Sequence, residues 1–74
     1  MQTITGQNVV RGDWLSQVAQ ISLGKLNEPV VVQAVDEEHH GVVLGKDLDG
    51  PPMKNFDGSV RLYEPTRFMK LFLG

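Results

Sequence analysis

The stretch Pro29-Val30-Val31-Val32-Gln33-Ala34-Val35-Asp36-Glu37-Glu38-His39-His40-Gly41-Val42-Val43-Leu44 decides how this chain folds. Three consecutive valines, a polar break and another valine lead into a charged cluster, which Gly41 closes before a second apolar run. β-Branched residues fit a pleated, half-buried surface, whereas Asp, Glu, His and Gly suit the turn between two strands. The stretch predicts a β-hairpin. In an ideal strand Val30, Val32 and Ala34 share one face, and Val31, Gln33 and Val35 the other. A bulge near Gln33 brings Val32 and Val35 to the same side, a device of small curved barrels. An isolated hairpin is marginal in water, so the rest of the chain must cover it.

The chain has 74 residues, enough for one small domain over 1–74. A domain this short buries about 60–65% of its unfolded surface, which leaves a stability margin of about 3–5 kcal/mol. Cys is absent, which excludes disulfides, thiolate metal sites and a cysteine nucleophile, and fits a reducing interior. The opening residues 1–8 lack a basic segment followed by an apolar one, so no signal peptide is expected. No apolar run approaches the ~18 residues of a membrane span. The expected setting is cytoplasmic, with no membrane partner.

Net charge is −2, which argues against tight general binding to nucleic acid. The charge is uneven: residues 1–53 sum to −4 and residues 54–74 to +2, through Lys54, Arg61, Arg67 and Lys70 against Asp57 and Glu64. Solvated side chains on an edge strand and a short helix account for so mild an excess, because a phosphate-binding face needs a denser patch.

Outward from the hairpin, Thr3-Ile4-Thr5 is a candidate edge strand and Gly6-Gln7-Asn8 a turn. Arg11-Gly12-Asp13 matches a tripeptide read by some cell-surface receptors, but without a secretion signal a tight turn is the better reading. Residues 14–23 fit two patterns. As a strand, Leu15, Ala19, Ile21 and Leu23 share a face. As a helix, Asp13 is the N-cap, Leu15, Val18, Ala19 and Ser22 form a stripe, and Gly24 is the C′ residue before Lys25. A strand at the start followed by a helical turn or two is the favoured combination, and Trp14 is expected mainly in the core. Pro29 suits the first position of a strand.

After Leu44 the segment 45–58 reads as a long irregular loop, since three glycines and Pro51-Pro52 exclude a regular helix or central strand. Loops of this length are usually functional or mobile. Leu48, Met53 and Phe56 are its candidate pins to the core. Ser59-Val60-Arg61-Leu62-Tyr63-Glu64 alternates as a last strand, with Val60 and Leu62 inward and Arg61 and Tyr63 outward. Pro65 ends it, and Phe68, Leu71 and Phe72 have the spacing of a two-turn helix over 67–73, which must dock on the domain or on a partner.

The order Val-x-Arg-Gly-Asp-Trp-Leu from Val9 to Leu15, then Val31-Val32-Gln33-Ala34-Val35-Asp36 with Gly41-Val42-Val43-Leu44, then Arg61-Leu62-Tyr63-Glu64-Pro65-Thr66 before a Leu/Phe-rich segment resembles a group of short proteins encoded by phages and mobile elements. That resemblance spans most of the chain and implies an SH3-like barrel with a Pro-containing entry to a terminal helix. This chain departs from the group in a longer segment between Trp14 and Val30, and in a helix entry one residue shorter at Glu64-Pro65-Thr66. The group has no assigned activity, so no functional residue carries over.

Asp36-Glu37-Glu38-His39-His40 holds metal-ligand residue types, but neighbours along a strand point to opposite sides and a solvated turn explains the cluster. Asp47-x-Asp49-Gly50 echoes a calcium loop, yet alignment on Gly50 puts Gly45 and Phe56 where two essential acidic ligands belong. No metal and no cofactor are expected. None of the Ser or Thr hydroxyls sits in a Gly-x-Ser-x-Gly elbow, and no Gly-rich phosphate loop precedes a helix, so the chain does not read as an enzyme. Trp14 and Tyr63, beside Arg61 or Arg67, form a candidate stacking platform.

These readings give a mainly β fold: an SH3-like barrel of about five strands with a short C-terminal helix, or alternatively an α+β arrangement with a helix at 14–23. The expected function is a non-catalytic interaction module, an accessory protein of a phage or mobile element. Its candidate partner-binding residues are Tyr63, Arg61, Arg67, Trp14, Met53 and Phe56. The expected partner is another protein or a second copy of the chain. The alternative function is weak nucleic-acid binding through Arg61, Tyr63, Arg67 and Lys70.

Overall fold

A computed structural model describes residues 2, 6–25, 27–64 and 71–72. The valine-rich stretch forms the expected hairpin, with strand β2 over Val31–Asp36 and strand β3 over Gly41–Gly45. Strand β1 (Trp14–Leu15) pairs with β2, and strand β4 (Leu71–Phe72) pairs with β1; every pairing is antiparallel. The sheet order is β3-β2-β1-β4. Helix α1 (Gln17–Ser22) follows β1 directly.

The fold is mainly sheet, as expected, but in a plainer form. Among the described residues there are four named strands, two of them of two residues, and they do not close into a barrel of about five. Leu71 and Phe72 lie in β4, not in a terminal helix, because their backbones pair with Leu15 and Trp14. The rest of that expected helix, including Arg67, Phe68 and Lys70, and the expected strand at Thr3-Ile4-Thr5 lie outside the described residues.

The bulge falls at Gln33. Val32 pairs with Leu44 and Ala34 with Val43, so Gln33 is the extra residue, and Val32 and Val35 both reach the core side. The core is built from Val9, Leu15, Ala19, Val30, Val32, Val42 and Leu44, each 1% exposed or less, with Leu23, Val35, Met53 and Tyr63 packed against it. Burying a Val or Leu side chain is worth about 1.5–3 kcal/mol each, which makes this cluster the main favourable term for so short a chain.

Residues 14–23 resolve into both readings in succession. Two residues of strand are followed by a short helix whose N-cap is Ser16: its Oγ accepts from the Ala19 N–H at 3.3 Å. Asp13 is not the cap. It is buried instead in the Val10–Asp13 turn, where its Oδ2 accepts from the Val10 N–H at 3.0 Å and its own N–H donates to the Val10 carbonyl at 3.2 Å. The same turn is stitched to β2, as the Gly12 N–H donates to Val32 O and the Val32 N–H to Asp13 O, both at 2.9 Å. At its other end α1 closes as a Schellman motif. The Lys25 N–H donates to Gln20 O at 2.7 Å and the Gly24 N–H to Ile21 O at 3.0 Å, with Gly24 at φ +70°.

The segment 45–58 is more ordered than a long loop. Gly45 bridges Pro52, and the Met53 N–H donates to Leu44 O at 2.9 Å. Lys54 bridges Val60 around a tight turn in which the Gly58 N–H donates to Asn55 O (3.1 Å) and the Asn55 N–H to Ser59 O (2.9 Å). Met53 packs on the core, but Leu48 and Phe56 are exposed and do not pin the segment. The facing of 59–64 is reversed from the expected alternation. Tyr63 bridges Val42, a buried residue, through a reciprocal pair of 2.9 Å hydrogen bonds. Directly paired residues share a face, so Tyr63 turns inward while Val60 and Leu62 turn out.

Candidate interaction face

Tyr63 and Arg61 form the centre of the face. The reciprocal bonds between Tyr63 and Val42 fix the tyrosine backbone, and its ring leans on the core. Its hydroxyl donates to Met53 Sδ at 3.5 Å. Two residues earlier, Arg61 is held by its N–H donating to Met53 O at 3.0 Å. The Arg61 guanidinium carbon sits 4.7 Å from the Tyr63 ring centroid, a cation–π contact. One face of the ring is therefore covered by arginine, and the aromatic group positions a cation instead of presenting an open stacking surface.

Two further cations join Arg61. Lys54 arrives across the Lys54–Val60 bridge. Lys25 arrives from the end of α1, where its N–H is held by Gln20 O and its carbonyl accepts from the Glu28 N–H at 3.0 Å. Leu23, Lys25, Met53, Lys54, Arg61 and Tyr63 line a concavity of about 520 Å³. Lys54 and Arg61 also border a smaller hollow of about 200 Å³ with Asn55 and Phe56. Phe56 stands at the hairpin tip, fully exposed.

The charge distribution is the distinctive feature. Five cations lie among the described residues, namely Arg11, Lys25, Lys46, Lys54 and Arg61, and three of them line this one concavity. None of the nine acidic residues lines it. Within the described residues these three cations have no ion-pair partner, whereas Arg11 pairs with Asp49 at 3.5 Å. The nearest acid in the hairpin, Asp57, is engaged in its own turn. The Ser59 hydroxyl (2.6 Å) and the Ser59 N–H (2.9 Å) donate to its Oδ1 and hold its carboxyl below the usual range.

Of the expected binding residues, Tyr63, Arg61, Met53 and Phe56 come together here. Trp14 does not. It is 38% exposed rather than core, because Leu15 takes the inward position of the two-residue strand. Trp14 pairs with Val31, whose neighbour Val32 shares the opposite face with Leu44, Val42 and Tyr63, so Trp14 and Tyr63 lie on opposite faces and make no common platform. Arg67 lies outside the described residues. Leu23 and Lys25 were not expected in the site. The Gly24-Lys25 ending marks a helix terminus in the sequence, but nothing local says that this terminus meets residues 54 and 61.

The Asp36–His40 cluster is the solvated hairpin turn. His39 Nδ1 lies 2.8 Å from Asp36 Oδ2, and the His39 N–H donates to Asp36 Oδ1 at 3.2 Å. The His39 side chain and then its backbone hydrogen bond hold the Asp36 carboxyl below its ordinary value. Among the described residues no group of three or more His, Asp or Glu side chains converges on a point, and no helix is long and apolar enough to cross a membrane. A further concavity of about 640 Å³ lies where residues 9–11 cross β2 at Gln33, Ala34, Val35 and Glu37. Comparison with protein-family models, with curated proteins and with solved structures finds no match for this chain.

Proposed function

We propose that this chain is a non-catalytic interaction module that binds another protein through the face formed by Lys25, Met53, Lys54, Phe56, Arg61 and Tyr63. The observation that carries the reading is the gathering, beside Leu23, Met53 and a fully exposed phenylalanine, of three cations that have no ion-pair partner among the described residues, in a chain of net charge −2. Arg, Met and aromatic side chains are enriched at protein interfaces. The resemblance to short phage- and mobile-element-encoded SH3-like barrel proteins supplies the biological setting: an accessory protein working in the cytoplasm.

The test is photocrosslinking in cells from a photoreactive residue at position 56, with position 21, also exposed, as control. Protein adducts from 56 that disappear when Lys54 and Arg61 are replaced by Glu support the module. Absence of adducts, or equal adducts from both positions, contradicts it. Weak nucleic-acid binding is the second reading, favoured by the same three cations next to an exposed aromatic ring. Nucleic-acid adducts from position 56 would establish it in place of the first.

A further inference from the structure

The occupant of the concavity can be narrowed by its chemistry. Its lining joins two partly buried apolar side chains, Leu23 and Met53, to the cations Lys25, Lys54 and Arg61. Arg61 is pre-set by Tyr63, so its guanidinium is positioned before any ligand arrives, and the backbone that carries Lys25 is held on both sides. A guanidinium fork fixed in this way suits a carboxylate, which it can grip through two parallel N–H···O bonds. Met is an adaptable surface for aliphatic side chains.

A nucleic acid would use the cations but leave Leu23 and Met53 unused, since bases stack on open aromatic faces and the Tyr63 ring is covered on one side by Arg61 and half-buried. Three cations alone also give only weak phosphate binding at physiological salt. We infer that the concavity takes a short acidic segment of another protein, its carboxylates meeting Lys25, Lys54 and Arg61 while one apolar side chain rests on Leu23 and Met53. This rests on the interaction-module reading and gives the partner its chemistry.

The experiment is fluorescence anisotropy with labelled probes: a short peptide of alternating Glu and Leu, the same peptide with Gln for Glu, the same with Ser for Leu, and a single-stranded oligothymidylate. Charge-assisted hydrogen bonds are each worth about 1.5–3 kcal/mol, so the Gln peptide should bind at least about tenfold more weakly. Lys54→Glu and Arg61→Glu should each cause a comparable loss, while Lys46→Glu, which changes net charge identically, should not. The Ser peptide should also bind more weakly, and that loss should persist at about 500 mM salt, where exposed charges are largely screened. Equal binding of the Glu and Gln peptides overturns the inference, as does equal sensitivity to Lys46→Glu and Lys54→Glu. Tighter binding of the oligothymidylate overturns it together with the module reading. If position 56 crosslinks to proteins while the Glu/Leu peptide fails to bind, the module stands and only the acidic partner falls.

Discussion

The Gln33 side chain occupies the space that a Cβ on Gly45 would need, its Cδ lying 2.6 Å from that position. From there its Nε2 donates to the carbonyls of Asp47 (2.8 Å) and Gly50 (3.1 Å), tying the bulge in β2 to the turn that follows β3. The bulge aims Gln33, Gly45 lets it pass, and the 47–50 turn is fixed where the chain sets out towards Met53 and Lys54. The placement of the interaction face depends on this relay.

Gly45→Ala should destabilise the domain by about 1–3 kcal/mol, the usual cost of forcing extra volume into a filled space. Gln33→Ala leaves two carbonyls at the edge of solvent without their donor and should cost about 1 kcal/mol. In the double variant the methyl group no longer meets the Gln33 amide, only the Pro51 carbonyl at 3.1 Å, so the combined loss should fall short of the sum by about 1 kcal/mol. Urea denaturation of the four proteins measures this, and additivity to within about 0.3 kcal/mol would contradict the relay.

The hairpin turn predicts an acid-side dependence. Asp36 is held below its ordinary pKa of 3.8 by His39, so the carboxylate form is favoured by folding. Its contribution is complete above the unfolded value and is lost as pH falls through the folded one. Melting temperature should fall as pH drops below about 4, and Asp36→Asn should make that fall shallower by removing, at neutral pH, the contribution that is complete there. Identical profiles for the two proteins would show that the Asp36–His39 contact contributes nothing.

Ser16→Ala should cost about 1 kcal/mol in urea denaturation, through loss of the N-cap bond to Ala19. Asp13→Ala should also destabilise, but by opening the Val10–Asp13 turn and not by uncapping α1. Helix content by circular dichroism in the folded state separates the two: it should fall in the first variant and hold in the second.

The central hairpin, its bulge at Gln33 and the Gly24 helix ending were legible because they are local, written in runs of β-branched residues and in turn residues. What the sequence hid is long-range. Alternation along Ser59–Glu64 shows that two faces differ but not which is inward, and the bridge from Tyr63 to Val42, 21 positions away, decides that. Phe56 reads as a core anchor by its hydrophobicity, yet the Asn55–Ser59 turn projects it into solvent. Lys25, Lys54 and Arg61 meet only because a helix end and a late hairpin pack side by side.

Phe56→Ala should leave stability within about 0.5 kcal/mol of wild type, as for a surface position away from caps and core. A loss of about 3 kcal/mol, the cost of truncating a buried phenylalanine, would place the ring in the core and remove it from the interaction face.

The most direct test of the account is an amide chemical-shift map of the isotopically labelled protein titrated with the Glu/Leu peptide. The shifts should cluster at residues 23–25, 53–56 and 60–63, saturate together, and vanish in Arg61→Glu. Shifts confined to residues 9–11 and 33–37, or to the Trp14 side of the sheet, would contradict the assignment of the binding face.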